Sequence, residues 1–323
     1  MELTGLHHVS AMTAQAARNY DFYTRVLGMR LVKKTVNQDD PSSYHLFYGD
    51  EVGRPGTELT FFDIAHLAPN RPGTGSISRT ALRVTGRDAL AYWQERFDEH
   101  GVRHDPIQIE AGRAVLPFRD FEGQRLALID DEDAPLPGGE PWDQSPATVA
   151  AGIRGLASNT LTVADPAPTV QVLTGVMGFR LAARYEAENP AREILIYATG
   201  AGGPGAQIRI DPRPDLGPER LGRGGVHHVA FRVPDDEQHE AWVDRLVSAG
   251  LQISGIINRF YFKSIYFREP NGILFELATD GPGFVVDEEA GSLGEKLALP
   301  PFLEQHRERI EAKLKPLDTG RQS

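Results

Sequence analysis

The chain has 323 residues, 40% of them hydrophobic, which is enough for a sizeable core in one large domain or two packed halves. A net charge of −11 argues against nucleic acid or an anionic membrane as the main partner. There is no cysteine, so disulfides and thiolate metal sites are excluded and any metal must be held by His, Asp or Glu.

Four segments repeat one pattern of strand, helix and three strands. The first opens with "LTGLHHVSAM", continues in the helix-like run "TAQAARNYDFYTRVLG", and ends in "MRLVKKTVN", "SYHLFYGD" and "TELTFFD". Gly28 stands where a helix C-cap is expected. The second runs from "SRTALRVTG" through the helix "DALAYWQERFDEHG" to "RAVLPFRD" and "QRLALIDD". The third begins at "RGLASNTLTVAD", and its "VLTGVMGFRL" echoes "FYTRVLGMRL" of the first. The fourth begins at "GVHHVAFRV", has the helix "EQHEAWVDRLVSAG" and closes with "GILFELATD".

One such module exposes a face of a small sheet and must pair with another to bury it. The expected fold is therefore α+β, with four βαβββ modules forming two curved half-barrel sheets and a C-terminal helical tail. The Pro- and Gly-rich stretch "APLPGGEPWDQSPATVAAG" is the expected linker. It divides the chain into an N-terminal domain over 1–140, a C-terminal domain over 150–282 and a tail over 283–323. In the tail, "LPPFLEQHRERIEAKLKPL" reads as one surface helix, packed through Phe302, Leu303, Ile310 and Leu314. No stretch approaches the roughly 20 apolar residues of a membrane span. The first residues lack the basic and apolar regions of a secretory signal, so a cytoplasmic location is the simplest account.

The first and fourth modules share a Gly-x-His-His-Val strand, which holds four of the ten histidines. Side chains alternate across a strand, so one His of each pair should enter a cavity. His8 shares a face with Ser10, and His228 with Arg232; the faces of His7 and His227 are more apolar. His8 and His228 are therefore assigned to the cavity, and His7 and His227 to structural or supporting roles. A single buried His is ordinarily a core residue, but two pairs at matching positions point to a metal site. Glu276, at the centre of the apolar strand "GILFELATD", would complete it, because a buried acid needs a cation or a partner. Arg259 or Arg232 could be that partner instead. Two His and one carboxylate leave coordination positions open, as in non-haem Fe(II) oxygenases. Thr60 matches Glu276 in the first module, and Glu58, two residues away, is a candidate fourth ligand. Arg259 and Tyr266 could hold and protonate a phenolate. Ser10 could bond substrate or water. His45 reads as structural, and His66, His100, His104, His239 and His306 as solvated.

These motifs resemble the vicinal oxygen chelate superfamily of glyoxalases, bleomycin-resistance proteins and extradiol dioxygenases. Within it, "TGLHHVSAMT", "GGVHHVAFRV" and "NRFYFKSIYFREPNGILFELATDGPGF" look like the dioxygenases that cleave hydroquinone rings, and the resemblance covers almost the whole chain. It implies Fe(II), with Mn(II) as the other candidate, at the residues matching His8, His228 and Glu276. It also implies roles around a small aromatic substrate and O₂ for His7, His227, Arg259 and Tyr266. Ser10 stands where some relatives carry Thr. The first and fourth modules would share the active cup, leaving the second and third as scaffold. The competing classes are a metal-dependent isomerase or lyase of glyoxalase type, which prefers four protein ligands, and a non-catalytic protein that binds an aromatic molecule or drug. A homo-oligomer is compatible with the sequence.

Overall fold

The structure is a computed structural model that describes residues 1–188 and 191–320. All four modules are present. The first contains β1 (Leu6–Thr13), α1 (Ala16–Asp21), β2 (Arg30–Asn37), β3 (Asp40–Gly49) and β4 (Glu58–Asp63). The second contains β5 (Ser76–Val84), α2 (Arg87–Glu99), β6 (Gln108–Glu110), β7 (Arg113–Arg119) and β8 (Arg125–Asp130). The third contains β9 (Leu156–Val163), α3 (Pro166–Gln171), β10 (Arg180–Glu188), β11 (Ala191–Ala198) and β12 (Gln207–Pro212). The fourth contains β13 (Val226–Val233), α4 (Asp236–Ser248), β14 (Ile253–Asn258), β15 (Lys263–Arg268) and β16 (Leu274–Thr279).

In each module the first strand is left with one open edge, and pairing two such edges antiparallel removes the exposed ladder. β1 pairs with β13, and β5 with β9. The result is two curved eight-stranded sheets, ordered β14-β15-β16-β13-β1-β4-β3-β2 and β10-β11-β12-β9-β5-β8-β7-β6. This is the expected α+β architecture of two half-barrels. Each sheet takes one module from either side of the 140–150 stretch, so the two halves of the sequence are not the two sheets. The helices lie outside, and Trp93 of α2 and Trp242 of α4 are fully buried in the main core. His239 of α4 departs from its expected solvated state. It faces inward, is 1% exposed, and its Nε2 bonds the Leu277 carbonyl at 2.9 Å.

The echo between the first and third modules is a shared local geometry. α1 widens into a π turn over Phe22–Val26, and α3 does the same over Val172–Val176. Each ends on a glycine with positive φ, Gly28 at 66° and Gly178 at 76°.

The tail departs from the single helix expected. It forms two short pieces, α5 (Pro301–Glu304) and α6 (Arg307–Glu311). The chain tightens at the first piece, where Leu303 N bonds Pro300 O and His306 N bonds Leu303 O, and it resumes α geometry only at Arg307. Leu303 and Ile310 pack with Val36 and Leu299, and Leu314 packs against them. Phe302 does not; it lies a third of a turn from Leu303 and is 52% exposed. Residues 321–323 of the expected tail lie outside the described residues.

Candidate metal centre

Three strands of the first sheet carry the central residues. Ser10 of β1 faces His228 of β13, and Ala230 of β13 faces Glu276 of β16. The strict alternation used to sort the histidines is interrupted here, because both strands are bulged. While β1 advances from Leu6 to Val9, β13 advances only from Phe231 to Val229. While β1 advances from Ser10 to Ala11, β13 advances from His228 to Val226. Each strand thus holds one extra residue at its His pair, and a bulge re-aims neighbouring side chains toward one side. His7 and His8 both approach Phe262, with ring centroids at 5.2 and 5.0 Å. His227 and His228 both approach Phe62, at 5.8 and 6.5 Å. Of the four rings, His8 and His228 line the cavity, and His7 and His227 contact them through Nδ1.

His8, His228 and Glu276 converge on one point. Glu276 Oε2 lies 3.2 Å from His8 Nε2 and 2.9 Å from His228 Nε2, and the two nitrogens are 3.3 Å apart. Donors about 2.1 Å from one metal ion and at right angles would be separated by about 3.0 Å. All three residues are buried, and Glu276 Oε2 has no partner in hydrogen-bond geometry, while Oε1 accepts from Ser264 Oγ at 2.6 Å. An orphaned carboxylate oxygen aimed at two imidazole nitrogens is the arrangement a divalent cation would satisfy. Neither Arg259 nor Arg232 pairs with Glu276; Arg259 holds Asp39 and Arg232 holds Asp280. Burial lowers the pKa of His8 and of His228 despite the nearby carboxylate. Burial would raise Glu276, but the two imidazoles hold it well below the usual carboxylate range. Neutral imidazoles beside an ionised carboxylate are the protonation states that bind a metal.

The outer histidines determine which nitrogen of each inner ring is free. His7 Nε2 donates to the Thr279 carbonyl at 3.1 Å; burial lowers the His7 pKa, but Glu58 more than offsets it and the net shift is upward, and in its neutral form the ring presents a lone pair at Nδ1. That Nδ1 is 3.0 Å from His8 Nδ1, which must then carry the proton, leaving His8 Nε2 bare toward Glu276. The same contact recurs between His227 Nδ1 and His228 Nδ1 at 2.8 Å. Burial, reinforced by His228, pushes the His227 pKa down to about 3, so that ring is neutral. Glu58 stands beside His7, with Oε2 3.5 Å from Nδ1, and forms a second acidic and imidazole group with His7 and His8. It is not grouped with His228 and Glu276. Burial raises Glu58 to about 7, opposed by His7.

A narrow cavity opens over His8 and His228, lined also by His45, Phe62, Arg259, Phe262 and Tyr266. The Arg259 guanidinium pairs with both oxygens of Asp39 and lies 5.4 Å from the Tyr266 ring centroid. Tyr266 faces Glu276 across the ladder, and burial, then the Glu276 charge, pushes its phenol pKa up. Ser10 does not line the cavity. Its hydroxyl bonds Thr60 Oγ1 at 2.7 Å, and Thr60 in turn bonds His45 Nε2 at 2.9 Å. His45, expected to be merely structural, is the site residue that sequence reasoning missed. Its ring lies between Phe47 and Phe62 at 4.0 and 4.1 Å, and burial takes its pKa well below the ordinary value. The available signal was its place on the strand that pairs with β4, where His45 faces Phe62.

Comparison with known proteins follows the same outline. The profile of the Glyoxalase/Bleomycin resistance protein/Dioxygenase superfamily matches residues 5–128 and 155–277. The chain is 52% identical to "Putative ring-cleaving dioxygenase MhqA" of Bacillus subtilis, over 98% of this chain and all of that protein. It is 31% identical to the chlorohydroquinone/hydroquinone 1,2-dioxygenase of Sphingobium indicum, over 95% of this chain and 94% of that one. A crystal structure of a "putative dioxygenase" from Bacillus subtilis superposes with a TM-score of 0.89 at 36% identity, covering 99% of both chains.

Proposed function

Because the chain belongs to the glyoxalase/bleomycin resistance protein/dioxygenase superfamily, we propose that it is a non-haem Fe(II)-dependent, extradiol-type dioxygenase that opens the ring of a hydroquinone or related phenol. His8, His228 and Glu276 would hold the metal. The observation that carries this reading is the triangle of donor atoms with edges of 2.9–3.3 Å around an orphaned carboxylate oxygen. Three protein donors leave positions open for substrate and O₂. A glyoxalase-type isomerase prefers a fourth donor, and Glu58, the candidate for it, stands beside His7. The Sphingobium relative is named for chlorohydroquinone and hydroquinone; assigning this substrate class to the present chain is part of the proposal.

Bound Fe(II) would supply the electronic link between a phenolate and O₂. The chain's own residues perform the remaining tasks. Phe62 and Phe262 flank the imidazoles and suit the faces of an aromatic ring while excluding water. Arg259 offers a guanidinium to a substrate oxygen and fixes the ring's orientation. Tyr266 keeps its proton at neutral pH and donates it to an oxygen on the substrate. His227, neutral and with its Nδ1 engaged by His228, would exchange a proton with a substrate hydroxyl through Nε2. His7 and Glu58 position His8 from behind.

The test is metal analysis of protein purified without oxygen, followed by O₂ uptake with hydroquinone. Wild type should contain iron and consume O₂, and His228→Ala should lose both. O₂ uptake retained in His228→Ala would overturn the reading, and anaerobic turnover of a thiol hemiacetal would select the isomerase instead.

A further inference from the structure

The second sheet forms a cup of its own, with a cavity of about 620 Å³ that takes no part in the function proposed above. Its strands repeat the first cup down to the bulges. β5 holds an extra residue between Ile77 and Arg79, and β9 holds one between Ala81's partner Ser158 and Leu82's partner Leu156. Matching β9 to β1 at their shared Gly-Leu start puts Ser158 where His8 stands. Matching β5 to β13 at their shared Arg-Val end puts Arg79 where His228 stands. Ala81 faces Ala127 as Ala230 faces Glu276, so alanine replaces the carboxylate. Thr160 faces Arg209 as Ser10 faces Thr60, so an arginine enters from the third strand position as well. The second cup thus lacks the donor set of the first, and it carries guanidiniums at the positions of His228 and Thr60.

Those guanidiniums are incompletely neutralised. Arg79 binds both oxygens of Glu110 at 2.8 and 2.6 Å, and Arg209 binds the same carboxylate. Two cations thus share one anion at the floor. Beneath the lining, Arg209 is 2% exposed, and neither its Nε nor Ser158 Oγ has a hydrogen-bond partner among the described residues. Nearer the mouth, Arg119 and Arg125 line the cavity without an ion-pair partner among the described residues. Of the four acids in the wall, Glu110 is engaged by Arg79 and Asp211 by Arg192, while Asp105 and Glu186 line it as well. Burial and then repulsion from Arg119 and Arg213 lower the Arg125 pKa. In a chain of net charge −11, a cavity lined by five arginines against four acids reverses the overall sign locally and favours an anion.

We propose that this second cup is a binding site for a small oxyanion, a carboxylate or a phosphate, held between the Arg79 floor and the Arg119 and Arg125 wall. Arginine recognises both groups through paired N–H donors. The test is calorimetric titration of the full chain at constant ionic strength, with sodium succinate in one arm and sodium phosphate in the other. Saturable binding of one probe per chain is expected in at least one arm, and the arm that responds identifies the oxyanion. The double variant Arg119→Gln/Arg125→Gln should weaken it about tenfold or more. His228→Ala, in the other cup, should leave it unchanged. No saturable heat with either probe would overturn the proposal. So would binding that survives the double variant, or that disappears with His228→Ala.

Discussion

The Nδ1 atoms of His227 and His228 lie 2.8 Å apart, so one ring must offer a proton and the other a lone pair. If His228 Nε2 binds metal, His228 Nδ1 is the donor and His227 the acceptor. Removing that acceptor leaves a buried N–H unpaired and the ligand ring free to turn. His227→Phe should therefore lower affinity for Fe(II) or Mn(II) about 10- to 100-fold. His227→Asn, which keeps an acceptor oxygen at a similar reach, should lose less. Chelator-competition titrations of the two variants check this, and equal losses would show that the contact does not orient His228.

Glu276 provides the charge at the centre. A metal that binds only the folded state stabilises it by about 2.7 kcal/mol at a hundred times its Kd. Anaerobic addition of Fe(II) or Mn(II) to metal-free protein should thus raise Tm. Glu276→Gln is nearly isosteric and keeps an acceptor for Ser264, so it should fold and show no such rise. Thermal melts with and without metal decide the point. An equal rise in the variant would put the ion elsewhere.

Arg259 and Tyr266 should separate kinetically. Tyr266 is pushed up by burial and by Glu276, so under the proposed reading it would serve as a proton donor and not as a phenolate. Tyr266→Phe should lower kcat with hydroquinone about 100-fold or more while metal content stays at the wild-type level. Arg259→Gln should act mainly on KM, raising it about tenfold or more, because a guanidinium that holds substrate oxygen contributes to binding. Steady-state O₂ uptake with metal analysis distinguishes the two patterns.

Much of this was legible in the residues, and the part that was not has a local cause. The doubled Gly-x-His-His-Val strand and the acid in "GILFELATD" marked His8, His228 and Glu276, since a lone carboxylate in an apolar strand requires an explanation. Repetition of the βαβββ pattern exposed the modules and hence the two sheets. Parity selected the inner His of each pair; what it could not show is how closely His7 and His227 contact them, because a bulge is set by the register between two strands and not by either sequence alone. His45 escaped for a related reason. Its place in the cavity depends on β3 lying beside β4, whereas its sequence neighbours are ordinary strand residues. The second cup's arginines sit on separate strands and in a chain of acidic balance, so only the topology brings them together.

Away from both cups, Glu219 predicts a pH effect on stability. Burial raises its carboxyl to about 7, against the opposing bond from Asn70 Nδ2 at 3.0 Å. In the unfolded chain the group ionises near the ordinary glutamate value of 4.5. Between those values the native state binds more protons than the unfolded state, so this group's contribution falls as pH rises from about 5 through 7. Glu219→Gln abolishes the titration and keeps an acceptor for Asn70. The Tm difference, variant minus wild type, should grow in the variant's favour across that interval. A difference that stays flat would mean that Glu219 titrates normally.

Lys33 ties the tail to the wall of the metal cup. Its fully buried ammonium donates to Asp287 Oδ1 at 2.7 Å, to the Phe284 carbonyl at 3.1 Å and to Glu288. The Phe284 ring packs on Phe47 and Tyr261 at 5.1 and 5.2 Å, and the Tyr261 hydroxyl donates to Asp287 Oδ2 at 2.9 Å. Phe47 and Tyr261 line the cavity. Lys33→Met keeps the stem's bulk but strands two carboxylates beside apolar rings, at a cost of about 3 kcal/mol. Asp287 and Glu288 are already partly exposed, so without the ammonium they turn further toward water and draw the segment away from β2. Amide exchange over residues 284–292 should accelerate in Lys33→Met more than exchange in β9 of the second sheet, and KM for hydroquinone should rise as the wall loosens. Exchange that accelerates equally everywhere would instead indicate global destabilisation, with no latch between β2 and the tail.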